Sequence, residues 1–262
     1  MSDPVLFERQ DGVITLTLNR PEKRNPISER EVVDALVDAL QRVQVDASAR
    51  VVILTGAGSA FSSGGDLNAM EAALEERLRN PSATIAYYIE GIQRIPLAFE
   101  ALDAPVIAAV NGPAIGAGND LACMCDMRIA SEEARFAESF VKIGLVPGDG
   151  GAWLLPRVVG WSKACEMAFT GDLLSAQEAL ACGLVSKIVP KDELLPAAHR
   201  LARRIAANPP LAVRATKRLL REGRFAGLGA LLQNSANAQA VAHTTEEHRQ
   251  ALAAALSKAA KR

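Results

Sequence analysis

The chain has 262 residues, of which 49% are hydrophobic and 23% are charged, as expected for a globular protein with a sizeable core. Its 29 Lys and Arg residues against 30 Asp and Glu residues give a formal net charge of -1, so no overall basic field would attract nucleic acid or an anionic membrane. Aromatic residues make up 4% of the chain and there are 4 Cys, which argues against a base-stacking surface and against a disulfide framework.

The N-terminal stretch and the apolar runs predict where the protein resides. The first ten residues, MSDPVLFERQ, are polar and include acids, unlike a secretory or transit signal. The longest apolar runs, such as Val106–Val110, are far shorter than a membrane span. We therefore expect a cytoplasmic protein with no membrane and no nucleic-acid partner.

Strands and helices alternate from the N-terminus. A β-rich run predicts a strand at 13–18, and a continuous apolar run predicts a second strand at 51–55, buried on both faces. Between them, Ser28 and Glu31 have the spacing of a capping box, which predicts that a helix starts there.

The alternation continues through the middle of the chain. A long helix is predicted over much of 84–102, followed by a buried strand at 106–110. This order of elements indicates an α/β protein with a parallel sheet. After about residue 191 the spacing becomes helical and no strand-like run remains, so we expect an all-helical C-terminal section with helices at 194–207, 211–220 and over most of 226–258.

Two segments share one plan, VVILTGAGSAFSSGGDL (51–67) and VIAAVNGPAIGAGNDL (106–121). Each contains an apolar strand, a glycine turn, a glycine-rich loop and then Gly-x-Asp-Leu at the start of a predicted helix. If the two loops lie side by side, their backbone N–H groups point to a common place, where they can stabilise an anion.

Each loop has a chemical and a purely structural interpretation. The loop at 62–66 lacks bulky side chains and suits an anion, although Asp66 could simply cap a helix. In the second loop, a helix that begins near Gly116 leaves the N–H of Ala117 free and places Asp120 three residues on. That stretch would supply an oxyanion donor and a carboxylate base, kept ionised by the helix N-terminus. Alternatively, Asp120 merely complements the helix dipole.

Several common catalytic motifs are missing from the sequence. It contains no P-loop, no correctly spaced dinucleotide-binding glycine motif and no GxSxG sequence. His199, His243 and His248 all lie in the predicted helical C-terminal section, far from the glycine loops. We therefore expect neither a Ser–His–Asp triad nor a metal site.

With these two loops, the sequence resembles the enoyl-CoA hydratase/isomerase (crotonase) superfamily. The matching stretches, in order, are LNRPEKRNPIS (18–28), GAGSAFSSGGDL (56–67), PVIAAVNGPAIGAGNDLACMCDMRIA (105–130), GLVPGDGGAWLLPRVVG (144–160) and ALACGLVSKIV (179–189). The resemblance implies a spiral of ββα repeats with the acyl-CoA site at 1–190 and a helical trimerisation region at 191–262. It further implies a homotrimer or a dimer of trimers, an acyl-CoA thioester substrate whose enolate is stabilised by two backbone N–H groups, and no cofactor, since CoA is part of the substrate.

The resemblance also assigns roles by position. The two oxyanion donors fall on Gly65 and Ala117. Hydratases of the family use two glutamates, and these positions correspond to Asp120 and Phe140 here. Some isomerases of the family place their acid just before a Gly-Gly pair, where this chain has Asp149. Asp149 could instead cap the helix that follows.

The resemblance also suggests binding residues. Relatives place the CoA phosphates and adenine near positions that correspond to Lys23, Arg24, Ser62 and Ser63. The acyl pocket is expected to include Met70 and Phe140.

The set of acids favours isomerisation of a 3-enoyl-CoA to a 2-enoyl-CoA in fatty-acid or related acyl-CoA catabolism, with Asp120 and Asp149 as proton carriers on either side of the acyl chain. Moving a double bond needs one carboxylate, which takes a proton from one carbon and returns it to another. Hydration of a 2-enoyl-CoA needs two acids and is the second possibility, and Glu138 would supply the second acid if the register is shifted. The resemblance is also compatible with dienoyl-CoA isomerisation, with thioester hydrolysis and with a non-catalytic acyl-CoA-binding protein.

Overall fold

A computed structural model describes residues 3–259, which form two sheets and the helices around them. Residues 1–2 and 260–262, at the outer ends of the predicted core and of the predicted helical section, lie outside the described residues. The strands are β1 (Val5–Gln10), β2 (Val13–Leu18), β3 (Val51–Gly56), β4 (Val106–Val110), β5 (Ala114–Ile115), β6 (Met127–Ser131), β7 (Arg135–Ala137), β8 (Leu174–Ser175) and β9 (Lys187–Val189).

The helices cover the sheets and form the C-terminal section. They are α1 (Arg30–Val45), α2 (Leu67–Ala72), α3 (Leu74–Arg79), α4 (Pro81–Glu90), α5 (Arg94–Ala101), α6 (Ala117–Met124), α7 (Gly151–Val159), α8 (Trp161–Thr170), α9 (Ala176–Ala181), α10 (Leu194–Ala206), α11 (Pro210–Glu222), α12 (Leu228–His243) and α13 (Glu246–Ala259). Short 3-10 turns occur at Pro21–Lys23, Ser139–Ile143 and Lys191–Glu193. No helix within residues 3–259 is both long enough and apolar enough to cross a membrane.

The larger sheet is parallel except at one edge. Its order, over the described residues, is β1-β2-β3-β4-β6-β9, in which β1 alone runs antiparallel to its neighbour. The smaller sheet has the order β5-β7-β8. The parallel α/β architecture predicted from the sequence is therefore confirmed, although the polar edge strand β1 was not predicted.

The central strands are buried on both faces, as the apolar runs predicted. Along β3, Val52 and Leu54 pack into the main core, whereas Val51 and Ile53 pack on the opposite face. That opposite face is covered by α10, through Leu194, Ala197, Ala198 and Ala202. The helical section that begins near residue 191 therefore starts with a helix that belongs to the packing of the sheet.

Two local expectations were wrong. The helix after β2 begins at Arg30 without a side-chain cap, because the Ser28 hydroxyl accepts a hydrogen bond from the backbone N–H of Asp66 instead, at 3.2 Å. The single helix expected over 84–102 is two helices, α4 and α5. The first of them ends at Gly91, whose backbone angles (φ -103°, ψ -117°) are not helical.

The two glycine loops follow adjacent parallel strands, β3 and β4, and therefore meet at the same edge of the sheet. The backbone N–H of Ile115 donates to the carbonyl of Ser62 at 3.0 Å. Next to this bond, a Cβ added to Gly118 would lie 2.3 Å from the same carbonyl oxygen. The two backbones are thus in direct contact and have no room for a side chain between them.

This close contact predicts that Gly118→Ala destabilises the fold. The added methyl group has to displace the backbone at Ser62, at an expected cost of about 1–3 kcal/mol in the free energy of unfolding, as for other overpacked cores. Urea denaturation measures the difference. Gly229→Ala is the matched control, because a Cβ at that helical position meets no atom within 4 Å of the described structure and alanine favours the helix. Equal stability of the two variants would contradict the prediction.

Candidate active site

The contact between the loops brings two unpaired backbone donors together. Among the described residues, the N–H groups of Gly65 and Ala117 have no hydrogen-bond acceptor, since Ala117 is the first residue of α6. A Cβ added to Gly64 would lie 2.9 Å from the nitrogen of Ala117, which shows how closely the first loop approaches the start of that helix. Two amides beside a helix N-terminus form a site for a developing oxyanion.

The polar side chains of the first loop support its backbone. Asp66 caps α2 by accepting hydrogen bonds from Asn68 and Ala69, so the structural role considered for it is confirmed. Ser62 has no exposed surface, because its hydroxyl donates to the carbonyl of Asn25 at 2.7 Å and accepts from the N–H of Gly64 at 3.1 Å. The Ser62 hydroxyl is therefore engaged within the protein, and the expected CoA contact of the Ser62–Ser63 backbone stays a prediction.

Two adjoining cavities meet at the unpaired donors. The outer one has a volume of about 530 Å³ and is open to solvent; its lining includes Lys23, Arg24, Ser63, Gly65, Met70, Ala117 and Phe140. The inner one, of about 40 Å³, is lined in part by Gly65, Met70, Tyr88, Ala117, Phe140 and Asp149. The donors are thus shared by both cavities, and the inner one reaches a carboxyl group.

Three buried carboxyl groups converge behind the inner cavity. Asp120 is on α6, Glu138 follows β7 and Asp149 precedes α7; each is at most 1% exposed. A Cβ added to Gly151 would lie 2.3 Å from Oδ1 of Asp120 and 2.5 Å from Oε1 of Glu138. These two carboxyl groups therefore face the same backbone position.

The cluster has too few hydrogen-bond donors to hold three charges. Asn119 donates to Oε2 of Glu138 at 3.0 Å, but no donor among the described residues reaches either oxygen of Asp120 or Asp149. The described residues also contain no group of side chains arranged to hold a metal ion. Asp120 lies within hydrogen-bond range of both other carboxyl groups, and a bond between two carboxyl groups requires a proton.

Burial favours the protonated form of these carboxyl groups. It raises the pKa of Asp120 well above its usual value, and the nearby charges of Asp149 and Glu138 raise it further. Burial also raises the pKa of Glu138 to about 7 and raises the pKa of Asp149, which a hydrogen bond from Asp120 partly offsets. Burial and the two like charges therefore oppose the helix N-terminus, which was expected to keep Asp120 ionised.

Asp149 does not cap the helix that follows it. Helix α7 begins at Gly151, has Gly150 at its N-cap position and receives no side-chain cap. The carboxylate of Asp149 is thus free to face the inner cavity. Opposite it, the ring of Tyr88 packs on Gly148, where an added Cβ would lie 2.9 Å from Cε1 of the ring.

The predicted binding residues occupy different parts of the two cavities. Lys23 and Arg24 lie at the mouth of the outer cavity, where the Lys23 ammonium pairs with Glu29 at 2.7 Å and Asp66 at 3.4 Å. The methyl group of Met70 covers Gly65, and the ring of Phe140 lies between the two cavities.

Comparisons with known proteins agree with this geometry. The family model for enoyl-CoA hydratase/isomerase matches residues 8–258. A crotonyl-CoA hydratase of Syntrophomonas wolfei is 34% identical over 256 residues, which cover 97% of this chain and 95% of that protein. The chain belongs to the enoyl-CoA hydratase/isomerase family.

Further relatives of this enoyl-CoA hydratase/isomerase family member include proteins named as isomerases and proteins named as hydratases. A 1,2-epoxyphenylacetyl-CoA isomerase of Escherichia coli is 35% identical over 262 residues, covering 98% of this chain and 97% of that one. The solved structure of an enoyl-CoA hydratase from Bacillus anthracis matches with a TM-score of 0.89 and 34% identity, covering 97% and 96% of the two chains. The resemblance to the crotonase superfamily and its fold is thereby confirmed.

Sequence reasoning underestimated Glu138 and gave no role to Asn119. Glu138 entered only as a substitute for Phe140 in a shifted register, whereas in this family member it joins Asp120 without any shift. The signal that could have found it is its place two residues before Phe140, the position of the expected acid. Asn119 carries no signal apart from its position beside Asp120.

The acid cluster predicts that stability depends on pH through Glu138. Below about pH 4.5 its carboxyl is protonated in both the folded and the unfolded chain; as the pH rises through about 7, the folded state loses stability because it has to bury the charge. Glu138→Gln removes this penalty and is expected to raise the free energy of unfolding by about 2 kcal/mol at pH 8 and by much less at pH 5.

Chemical denaturation at the two pH values checks this prediction. Glu132→Gln, on an exposed residue of the same segment, is the control and should change little at either pH. A Glu138→Gln effect of equal size at pH 5 and pH 8 would show that its charge is not the cause.

Proposed function

We propose that this chain isomerises a 3-enoyl-CoA to a 2-enoyl-CoA, with Asp149 as the proton carrier. One observation carries the proposal: of the three buried acids, Asp149 lines the inner cavity that also contains the N–H groups of Gly65 and Ala117, while Asp120 and Glu138 lie behind it. One acid at the cavity meets the chemical requirement of double-bond migration.

The reaction follows from this arrangement. The thioester oxygen accepts hydrogen bonds from Gly65 and Ala117, and Asp149 removes a proton from C2 of the substrate. The C–H electron pair moves into a dienolate, whose charge on oxygen each amide stabilises by about 3 kcal/mol. Protonated Asp149 then returns the proton to C4, which leaves the double bond between C2 and C3. No redox group or cofactor is needed, because electrons and atoms balance within the substrate and one carboxylate.

Hydration of a 2-enoyl-CoA is the second candidate. The hydratase names among the relatives favour it, and so does the presence of further acids close to Asp149. Hydration requires one group to activate water and another to supply the α-proton. Besides Asp149, the acid that lines the inner cavity is Asp66, whose carboxylate caps α2 and pairs with Lys23, while Phe140 stands at the position where hydratases of the family have their second glutamate. Dienoyl-CoA isomerisation, thioester hydrolysis and binding without turnover are less directly supported by these contacts.

The wild-type protein distinguishes these candidates when it is given a 3-enoyl-CoA and, separately, a 2-enoyl-CoA. We expect a conjugated product of unchanged mass from the 3-enoyl substrate, detected by ultraviolet absorbance and mass spectrometry. Gain of water from the 2-enoyl substrate would support hydration instead. Binding of both thioesters without a reaction would contradict both candidates.

Asp149→Asn is expected to lower isomerase kcat at least ~100-fold, because an amide cannot accept the proton. Binding of a saturated acyl-CoA, measured by calorimetry, should remain, since the oxyanion donors are backbone groups. Asp192→Asn, on an exposed surface residue, is the matched control and should leave kcat unchanged. Unchanged turnover in Asp149→Asn would exclude Asp149 as the proton carrier.

The CoA portion is proposed to lie in the outer cavity. Lys23 and Arg24 at its mouth can attract the phosphates, and Ser63 lies on the same wall. The acyl chain would enter past Met70 and Phe140, which separate the outer cavity from Asp149. The site would thus hold the two ends of the substrate on opposite sides of the oxyanion donors.

A cytoplasmic homotrimer, or a dimer of trimers, is proposed for the assembly. Helices α12 and α13 have no buried residue in the described chain, yet they carry the exposed apolar side chains Leu228, Leu232, Val241, Leu252 and Leu256. Helices of this kind are stable when another surface covers them. Light scattering coupled to size exclusion should give three or six times the chain mass of 27.8 kDa; the mass of one chain would contradict the assembly.

A further inference from the structure

Glu138 has no place in the proposed proton transfer, although it is a fully buried acid. Its Oε2 accepts a hydrogen bond from Asn119, and its Oε1 has no donor among the described residues. Oε1 of Glu138 and Oδ1 of Asp120 both lie within 2.5 Å of the position that a Cβ on Gly151 would take. Glu138 therefore faces Asp120 and is separated by it from the reacting carboxylate.

Asp120 is the central member of the three acids. It lies within hydrogen-bond range of Glu138 on one side and of Asp149 on the other. Neither of its oxygens has a donor in the described structure, so a bond within the cluster requires a proton on Asp120 or on one of its two neighbours, and a proton on Asp120 is one that can be donated to Asp149. If that proton points to Asp149, the bond stabilises the charge that a base requires.

Other titratable groups around the cluster do not replace this proton. Burial raises the pKa of Cys123, on the same helix as Asp120, to about 12, and burial also raises the pKa of Tyr88 on α4. Arg77 lines the inner cavity, but its guanidinium lies over the ring of Tyr87, 4.9 Å from the centroid, and forms no ion pair with Asp149 in the described structure.

We propose that Glu138 is a positioning residue that acts through Asp120: its negative charge, held by Asn119, keeps a proton on Asp120, and protonated Asp120 donates a hydrogen bond that holds Asp149 ionised and oriented. The inference rests on the proposed role of Asp149 as the base. The active form is therefore the one in which Glu138 and Asp149 are ionised and Asp120 is neutral.

A spectroscopic test needs no substrate. Infrared absorption of the wild-type protein at pH 8 is expected to show the C=O stretch of a protonated carboxylic acid that is absent in Asp120→Asn. In Glu138→Gln the same band should disappear at a pH lower by about one unit or more, because a neighbouring charge has been removed. If the wild type shows no such band at pH 8, the proposal is overturned without any variant having to fold.

A kinetic test separates positioning from a purely structural role. In Glu138→Gln, the alkaline limb of the kcat–pH profile should move to lower pH by about one unit or more, because Asp120 loses its proton earlier. KM should change little, since Glu138 does not border either cavity. Glu138→Asp, which keeps the charge, should retain the wild-type profile, as should the exposed control Glu132→Gln.

A rate that falls equally at every pH in Glu138→Gln would indicate a structural role and overturn the proposal. If the wild type does not isomerise a 3-enoyl-CoA at all, the proposed function fails, whereas the infrared measurement still decides whether Glu138 keeps Asp120 protonated. The two failures are thus distinguishable.

Discussion

The parallel pairing of β3 with β4 is the constraint on which the site depends. Because the strands run side by side in the same direction, the loops after them meet at one edge of the sheet. Two asparagines fix the first loop there: Asn25 donates to the carbonyls of Ala57 and Ala60 at 2.9 Å, and Asn111 donates to those of Gly58 and Ala60 at 3.2 Å. The unpaired N–H groups of the oxyanion site are thus held by the core of the protein.

The acid cluster is the part of the structure that does not stabilise the fold. Three carboxyl groups buried together, with one amide donor among them, each lose hydration and repel one another when ionised. Such an arrangement is typical of sites where proton affinity has to be close to the working pH. The helix N-terminus at α6 offsets little of this cost, because the nearest charges around Asp120 are those of like carboxylates.

The sequence predicted the parts of this molecule that depend on local patterns. The apolar runs located β3 and β4, the glycine loops located the two unpaired backbone N–H groups, and the start of α6 at Ala117 followed from Gly116. Contacts between distant segments were not predictable in this way. The hydroxyl of Ser28 has the spacing of a cap but bonds to the loop at Asp66, and the burial of Ser62 depends on Asn25.

The proton affinity of Asp120 was likewise not predictable from the local sequence. Its position in the first turn of a helix indicates a favourable dipole, but its pKa is raised by burial and by the charges of Asp149 and Glu138, which are 29 and 18 residues away in the chain. A local pattern does not contain the distance between such side chains. For the same reason, the sequence could place Asp149 just before a Gly-Gly pair but could not tell whether it caps α7 or faces the cavity.

Separate roles for backbone donors and side-chain acids would explain how one fold can serve different reactions on acyl-CoA thioesters. In the proposed function, enolate stabilisation comes from the backbone of Gly65 and Ala117, which side-chain substitutions do not remove. In the proposed reaction, the fate of the proton depends on the side chains that border the inner cavity, where Asp149 lies near the apolar ring of Phe140 and the carboxylate of Asp66 is engaged in capping α2. An apolar wall leaves an attacking water without a base on that side, whereas a single carboxylate can still carry a proton between two carbons of the same substrate. In the proposed function, the positions of the acids around the two backbone donors, more than the fold itself, therefore determine the reaction.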